Sequence, residues 1–279
     1  MTTDYKLEVH DLTEKEQRQM FDMPYLSLLS ALMWVARCTR PDIAAPLTLL
    51  ARATSKPSPA HWRALIKVLK YLMNTVTQGL KIYPGDPSGF KLTTLSDASH
   101  ANDPDTKRSI SGTFILLDRT VVDWVSKHQA YVTLHSGEAE CVAAAMSATH
   151  SLYWSQLLDQ LSMPVTSSEM YTDSTTAETV FTNPYHSSQM KHLRIKLLFL
   201  RELVYSRQIN LQHIAGIHNP ADLLTKPLSR ATLTHLFRIL RKLAWGGESP
   251  DSTNTLRSSG SKRKVNATAS GSAAKRTKH

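Results

Sequence analysis

Cysteine is nearly absent from the 279 residues. Only Cys38 and Cys141 occur, each in an apolar helical setting, which excludes a disulfide scaffold and predicts two buried, reduced thiols. No window reaches the roughly 18 apolar residues that a membrane span needs. The N-terminus, Met1 to His10, lacks the basic and then apolar run of a secretory signal. These gaps predict a soluble protein of the cytosol or nucleus, with no membrane partner. Aromatic residues are sparse at 7%, but 41% hydrophobic content suffices for a core in one large or two small domains. Acid is short relative to base, 23 residues against 33, and the net charge of +10 favours an anionic partner without identifying it. Part of that excess sits after Trp245, in Arg257, Lys262, Arg263, Lys264, Lys275, Arg276 and Lys278.

Five segments follow from composition and periodicity: a loose polar lead-in over 1–22, a helical segment over 23–89, an α/β domain over 90–228, a helix over 229–245 and a basic, disordered tail over 246–279. In the helical segment, Leu26, Leu29, Leu32, Met33 and Val35 predict one apolar face, and Ile43, Leu47, Leu50 and Ala51 a second helix from Asp42 to Thr54. A third starts at Ser58-Pro59, with proline in its first turn. From Phe90 the period shortens. Strands are expected over 91–97, 112–117 and 121–125, the last two forming a hairpin across Asp118-Arg119-Thr120. Ser136 is placed to cap a long helix ending near Leu161, whose Ala139, Ala143, Ala144, Ala145 and Ala148 allow close packing on a sheet. A strand over 169–173, a short helix, an amphipathic helix over 186–205, a strand over 208–214 and a helical turn opened by Asn219-Pro220 complete the domain. That order predicts a five-stranded mixed sheet flanked by helices, an antiparallel meander followed by parallel crossovers.

Against that frame four carboxylates stand out. Asp97 and Asp173 close strands at their carboxyl ends, where ligands of such sheets sit; Glu140 begins the crossover helix and Asp222 the turn after the last strand. Singly, each has an ordinary explanation, since acids are common at strand ends and in first helical turns. Jointly, they share one edge of the sheet. Carboxylates gathered that way repel one another unless divalent cations neutralise them, and such a set around two metal ions is a recurring apparatus for phosphodiester cleavage.

The motifs surrounding these acids carry a resemblance. Ser96-Asp97-Ala98-Ser99-His100-Ala101, Lys107-Arg108-Ser109-Ile110-Ser111-Gly112, Trp124 to Gln129, Ser136-Gly137-Glu138-Ala139-Glu140, Thr172-Asp173-Ser174, Lys191-His192, Arg201-Glu202-Leu203 and Ala221 to Leu228 follow in the order of the ribonuclease H domain of copia-type retrotransposon polyproteins. The likeness covers residues 90–228. Upstream, Pro24 to Leu29, Arg40 to Ala44 and His61 to Leu65 resemble the segment that joins reverse transcriptase to that domain. Arg194 and Leu198 depart from it, standing where relatives usually carry an acid and a histidine.

The resemblance implies hydrolysis of the RNA strand of an RNA–DNA hybrid during reverse transcription. Asp97, Glu140, Asp173 and Asp222 would be both the catalytic and the metal-binding residues, holding two Mg²⁺ with Mn²⁺ as a substitute. The family's helix pattern selects Glu140 as the catalytic acid and leaves Glu138 as a helix-capping acid. His218 reads either as a general acid or product-release residue or as a surface-loop histidine. His186 and His192 lack companions at zinc-like spacing. Lys107 and Arg108 suit substrate phosphate or a solvated loop, and Trp62 and Trp124 suit packing.

No Tyr-x-Asp-Asp polymerase motif occurs, so the chain reads as the end of a polyprotein and not as the polymerase itself. Its expected partners are the hybrid, reverse transcriptase or other Pol products, and a nuclear import receptor. The last rests on Lys262-Arg263-Lys264 and Lys275 to Lys278, which fit a bipartite import pattern and equally a tail that adheres to nucleic acid. Two other classes stay open: an idle remnant or domesticated nucleic-acid-binding protein, for which broken carboxylates would be the mark, and an integrase-like strand transferase. The acidic set and the Ala221 to Leu228 ending argue against the second.

Overall fold

A computed structural model describes Tyr5 and residues 7–85, 89–182 and 193–243. Outside these lie His186, Lys191, His192, the end of the last predicted helix and the basic tail with both import-like clusters. The centre is a five-stranded sheet of order β3-β2-β1-β4-β5. Strand β1 (Phe90–Ser99) pairs antiparallel with β2 (Ile110–Leu117), which pairs antiparallel with β3 (Thr120–His128). On its other side β1 runs parallel to β4 (Val165–Thr172), and β4 parallel to β5 (Asn210–His213). This is the predicted meander with crossovers. Every residue of β1 from Leu92 to Ala98 is buried, so both faces of the sheet are covered. The turn between β2 and β3 puts Asp118 at φ +50°, a region Asp tolerates, and its Oδ1 accepts the Lys91 N–H at 2.8 Å.

One face carries α5 (Ser136–Gln160), α6 (Thr175–Thr182) and α7 (Arg194–Tyr205). The alanines of α5 do what their size predicts: Ala139 and Ala143 lie directly against Ala98 of β1. Ser147 meets Thr113 of β2 at 2.6 Å, and Ala144, Ala148, Met170, Phe181, Leu197 and Leu200 form the apolar layer beyond. The opposite face receives α2 (Tyr25–Cys38), α3 (Ala44–Leu50), α4 (Pro59–Met73) and α8 (Arg230–Leu243). Side-chain contacts fasten the helical segment to β3: Trp124 Nε1 donates to Ala36 O at 2.8 Å, the Thr48 and Ser126 hydroxyls meet at 3.0 Å, and the Tyr83 N–H donates to Thr120 Oγ1 at 3.0 Å. Trp124 is thus a packing residue, as expected.

Several local expectations are corrected. Residues 1–22 are not all loose: α1 (Glu14–Met20) forms behind a Thr13/Glu16 capping box, Tyr5 is buried, and Leu7 O accepts from Arg52 Nη2 at 2.9 Å. The second helix is broken into a 3-10 turn (Pro41–Ile43), α3 and a 3-10 turn (Ala51–Thr54), because Pro46 has no N–H to return to residue 42. The buried face of α2 is Tyr25, Leu29, Leu32 and Ala36; Leu26 and Met33 face out, and so does Cys38, whereas Cys141 is buried as expected, and the two form no disulfide. The N-cap of α5 is His135, not Ser136, with Nδ1 accepting the Glu138 N–H at 3.2 Å. Among the described residues, no helix is long and apolar enough to cross a membrane.

Candidate active site

Three carboxylates from three elements meet. Asp97 stands near the carboxyl end of β1, Asp173 follows β4 directly, and Glu140 lies in the second turn of α5; their oxygens lie within 4.8 Å of one another. The parallel pairing of β1 with β4, Ser96 opposite Thr172, brings the two aspartates level. The Ala98–Ala139–Ala143 contact lets α5 approach closely enough for Glu140 to reach them. Glu138 is turned elsewhere: its Oε2 accepts the Leu134 N–H at 2.8 Å, as a capping acid should.

Asp222 is positioned differently from the expectation. It lies in a 3-10 turn (Pro220–Leu224) and is not one of the three clustered acids; its Oδ1 instead faces the Lys226 ammonium at 2.7 Å. It still borders the site, since its charge adds to the forces that push up the Asp97 and Asp173 carboxyls. The turn is pinned to β1 and to the β1–β2 loop by side-chain hydrogen bonds. Asn219 caps it, its Oδ1 accepting the Ala221 N–H at 3.1 Å, and donates from Nδ2 to Ser96 O at 2.8 Å. Asn102 Nδ2 donates to Thr225 O at 3.1 Å, and the Thr225 hydroxyl donates to Asp97 Oδ2. The Asn-Pro pair was legible as a turn; its partners on β1 were not.

The electrostatics are those of acids crowded without a counter-ion. Burial, and then the Asp222 charge, push Asp97 up to about 8. Burial, with Asp97 and Asp173, pushes Glu140 up to about 9. Asp173 is raised by burial and by Asp222. Glu140 Oε2 is buried without a hydrogen-bond partner. An all-oxygen donor set, a stranded carboxylate oxygen and mutual repulsion are what a hard divalent cation would satisfy, so the residues present fit such an ion.

Other candidates fall around this centre. His218 ends a 3-10 turn (Gly216–His218) and is partly buried, its ring 5.8 Å from that of His235; among the described residues it makes no hydrogen bond to the carboxylates. His213 Nε2 lies 3.1 Å from Asp173 O. Lys107 and Arg108 are exposed on the loop between β1 and β2. Gly216 was overlooked as well: a Cβ there would stand 2.8 Å from Asp173 Oδ2. Gly216→Ala should displace that carboxylate and weaken Mn²⁺ binding at the three acids, read by calorimetry, by about 10–100-fold. The metal-free melting temperature should barely move. An unchanged Mn²⁺ affinity would show that Asp173 has room to spare.

No known protein-family model matches the chain. Retrovirus-related Pol polyproteins of plant transposons do, among them that of transposon TNT 1-94 from Nicotiana tabacum, 31% identical over 218 residues, 78% of this chain and 16% of the polyprotein. The chain therefore spans about a sixth of the length of these relatives. Secreted RxLR effector protein 161 of Plasmopara viticola is 41% identical over 135 residues, 48% of this chain and 93% of that protein. Among solved structures, RNase H1 from Halobacterium salinarum aligns with TM-score 0.38 and 16% identity over 48% of this chain and 94% of that one. By its likeness to these polyproteins over about three quarters of its length, the chain belongs to the retrovirus-related Pol polyproteins of copia-type transposons, of which it matches one short portion.

Proposed function

We propose that this chain is a metal-dependent ribonuclease H that cuts the RNA strand of RNA–DNA hybrids during reverse transcription. The observation that carries the reading is the meeting of Asp97, Glu140 and Asp173 within 4.8 Å, supported by the unpartnered Glu140 Oε2. These three, with Asp222 beside them, would hold two Mg²⁺ or Mn²⁺ ions, which when bound activate the attacking water and stabilise the departing 3′ oxygen. The chain's own residues supply placement. Thr225 fixes the Asp97 carboxylate by donating to Oδ2. Asn219 and Asn102 hold the turn that delivers Thr225. Lys107 and Arg108, exposed after β1, would meet backbone phosphate.

The test is a cleavage gel with labelled RNA–DNA hybrid, RNA duplex and DNA duplex, in Mg²⁺ with and without EDTA. Cutting confined to the RNA of the hybrid and stopped by EDTA is the expected result. Metal-independent cutting, or none with either Mg²⁺ or Mn²⁺, would overturn the reading.

A further inference from the structure

The loop between β1 and β2, residues 100–109, carries two exposed cations, Lys107 and Arg108, that form no ion pair among the described residues. Its backbone is held in a demanding shape. Ala101 and Lys107 adopt φ +48° and +56°, a region that residues with a Cβ keep only where their surroundings fix them. The fixing group is Asp103. Its Oδ1 accepts the Asp105 N–H at 2.9 Å and the Thr106 N–H at 3.1 Å. The Lys107 N–H donates to Asp103 O at 3.0 Å, and the Asp103 N–H to Arg108 O at 3.2 Å. Burial pushes the Asp103 carboxyl up, but the bonds from Thr106 and Asp105 and the Arg52 charge outweigh it and hold it below the usual carboxylate range.

That carboxylate is anchored from outside the sheet. Arg52, on the 3-10 turn Ala51–Thr54 of the helical segment, donates from Nη1 to Asp103 Oδ1 at 2.5 Å and to Asp105 Oδ2 at 2.8 Å. Nη2 donates to Leu7 O at 2.9 Å and Nε to Leu49 O at 3.0 Å. The N-terminal arm also reaches the loop directly, its Val9 N–H lying 3.3 Å from each oxygen of the Asp105 carboxylate. The Arg52 side chain is 11% exposed and that of Asp103 4%, so salt screens the pair weakly. One planar guanidinium thus spans the arm and both acids of the loop, which the single ammonium of a lysine cannot do. It also neutralises two acids that would otherwise draw in Lys107 and Arg108 and repel an anion.

We propose that Arg52 is a positioning residue for nucleic acid: from the helical segment it sets the 100–109 loop so that Lys107 and Arg108 meet backbone phosphate together. This rests on the phosphate-contact reading of those two residues given above. Arg52 acts on the substrate only through the loop, and the helical segment contributes to substrate binding by that route.

Fluorescence anisotropy of a labelled RNA–DNA hybrid with the full chain in EDTA, over a series of salt concentrations, tests this without cleavage. Arg52→Lys keeps the charge and loses the fork. It should bind the hybrid about tenfold more weakly at about 0.1 M salt, the contribution of roughly one phosphate contact. Its slope of log affinity against log salt should be shallower by about 1. A chain that was merely less folded would lose bound fraction and keep the slope. Lys107→Ala/Arg108→Ala should itself weaken binding, and in that background Arg52→Lys should add nothing. Should Arg52→Lys fail to fold, Asp105→Asn is the second arm. Removing an acid tightens hybrid binding if charge alone matters, and weakens it if Arg52 positions the loop. Parent-like affinity and slope in Arg52→Lys, an effect that persists in full without Lys107 and Arg108, or tighter binding by Asp105→Asn would overturn the proposal. A parent that does not bind the hybrid, or a Lys107→Ala/Arg108→Ala variant that binds like the parent, would instead overturn the reading of the loop as a phosphate contact.

Discussion

Asp97→Asn is expected to abolish hybrid cutting and, in the same preparation, to make the metal-free chain more stable. Asp97 is 2% exposed, accepts from the Thr225 hydroxyl and belongs to the three-acid cluster. Asn has nearly the same shape, and its carbonyl oxygen can still accept from Thr225, so what disappears is a charge and one carboxylate oxygen of the cluster. The loss of rate should be at least about 10²–10³-fold, the scale for removing one group that stabilises developing charge. The gain in stability depends on pH. In the metal-free fold the Asp97 carboxyl sits at about 8, against about 4 in an unfolded chain. A group raised in this way makes its full contribution below about pH 4 and loses it progressively as pH rises toward 8. In EDTA the parent should therefore weaken from pH 4 to pH 8, and Glu140, at about 9, should extend the decline. Asp97→Asn should melt with the parent near pH 4 and above it at pH 8. The gap there is on the order of a few kcal/mol, or roughly 5–10 °C for a chain of this size. Thermal melts in EDTA at the two pH values, beside the cleavage gel, check both halves. A variant that cuts at the parent rate, or melts below the parent at pH 8, would remove Asp97 from the role assigned to it.

How legible the fold was depended on what each element does with its apolar residues. The sheet could be read because β1 and β2 bury continuous runs and the alanines of α5 announce a close approach. Helix α1 was invisible to that kind of reading because it buries no residue; its only signal was local, the Thr13-x-x-Glu16 capping box. The site divides along the same line. Asp97 and Asp173 were readable because strand ends place them from topology, and Glu140 because the family's helix pattern selects it over Glu138 on the crossover helix. The pairing of Asp222 with Lys226 was readable in principle from its four-residue spacing, but the four-acid expectation drew attention to charge of one sign. The partners of Asn219 and Asn102 were not readable, because they exist only once the 220–225 turn has closed onto β1, and Gly216 was not, because its close neighbour Asp173 lies on another element.

That closure depends on one missing side chain, and Gly112→Ala should undo it. Gly112 pairs with Asp97 across β1 and β2, on the face where the turn docks. A Cβ there would stand 2.7 Å from Thr225 Cγ2, 2.9 Å from Leu224 Cβ and 2.9 Å from Ala221 O. Real Cβ atoms do not come so near. The obstacle includes backbone, and Ala221, Leu224 and Thr225 are fully buried, so no flexible side-chain end can swing aside. The glycine is required for space and not for its dihedral, since it is not among the positive-φ glycines. Overpacking of this kind costs about 1–3 kcal/mol, or roughly 2–12 °C in melting temperature. The larger effect should be on chemistry. Relief of the clash lifts the turn from the sheet, and Thr225 on Asp97 and the Asp222–Lys226 pair move with it. A displacement near 1 Å is enough for about a 10²-fold loss of rate. Thr225→Val separates the two causes, because it removes the hydroxyl on Asp97 while keeping the turn's shape; it should lose less activity than Gly112→Ala and little stability. If Gly112→Ala melts and cuts like the parent, the turn is not seated against β2, and the placement of Asp222, Thr225 and Lys226 at the site falls with it.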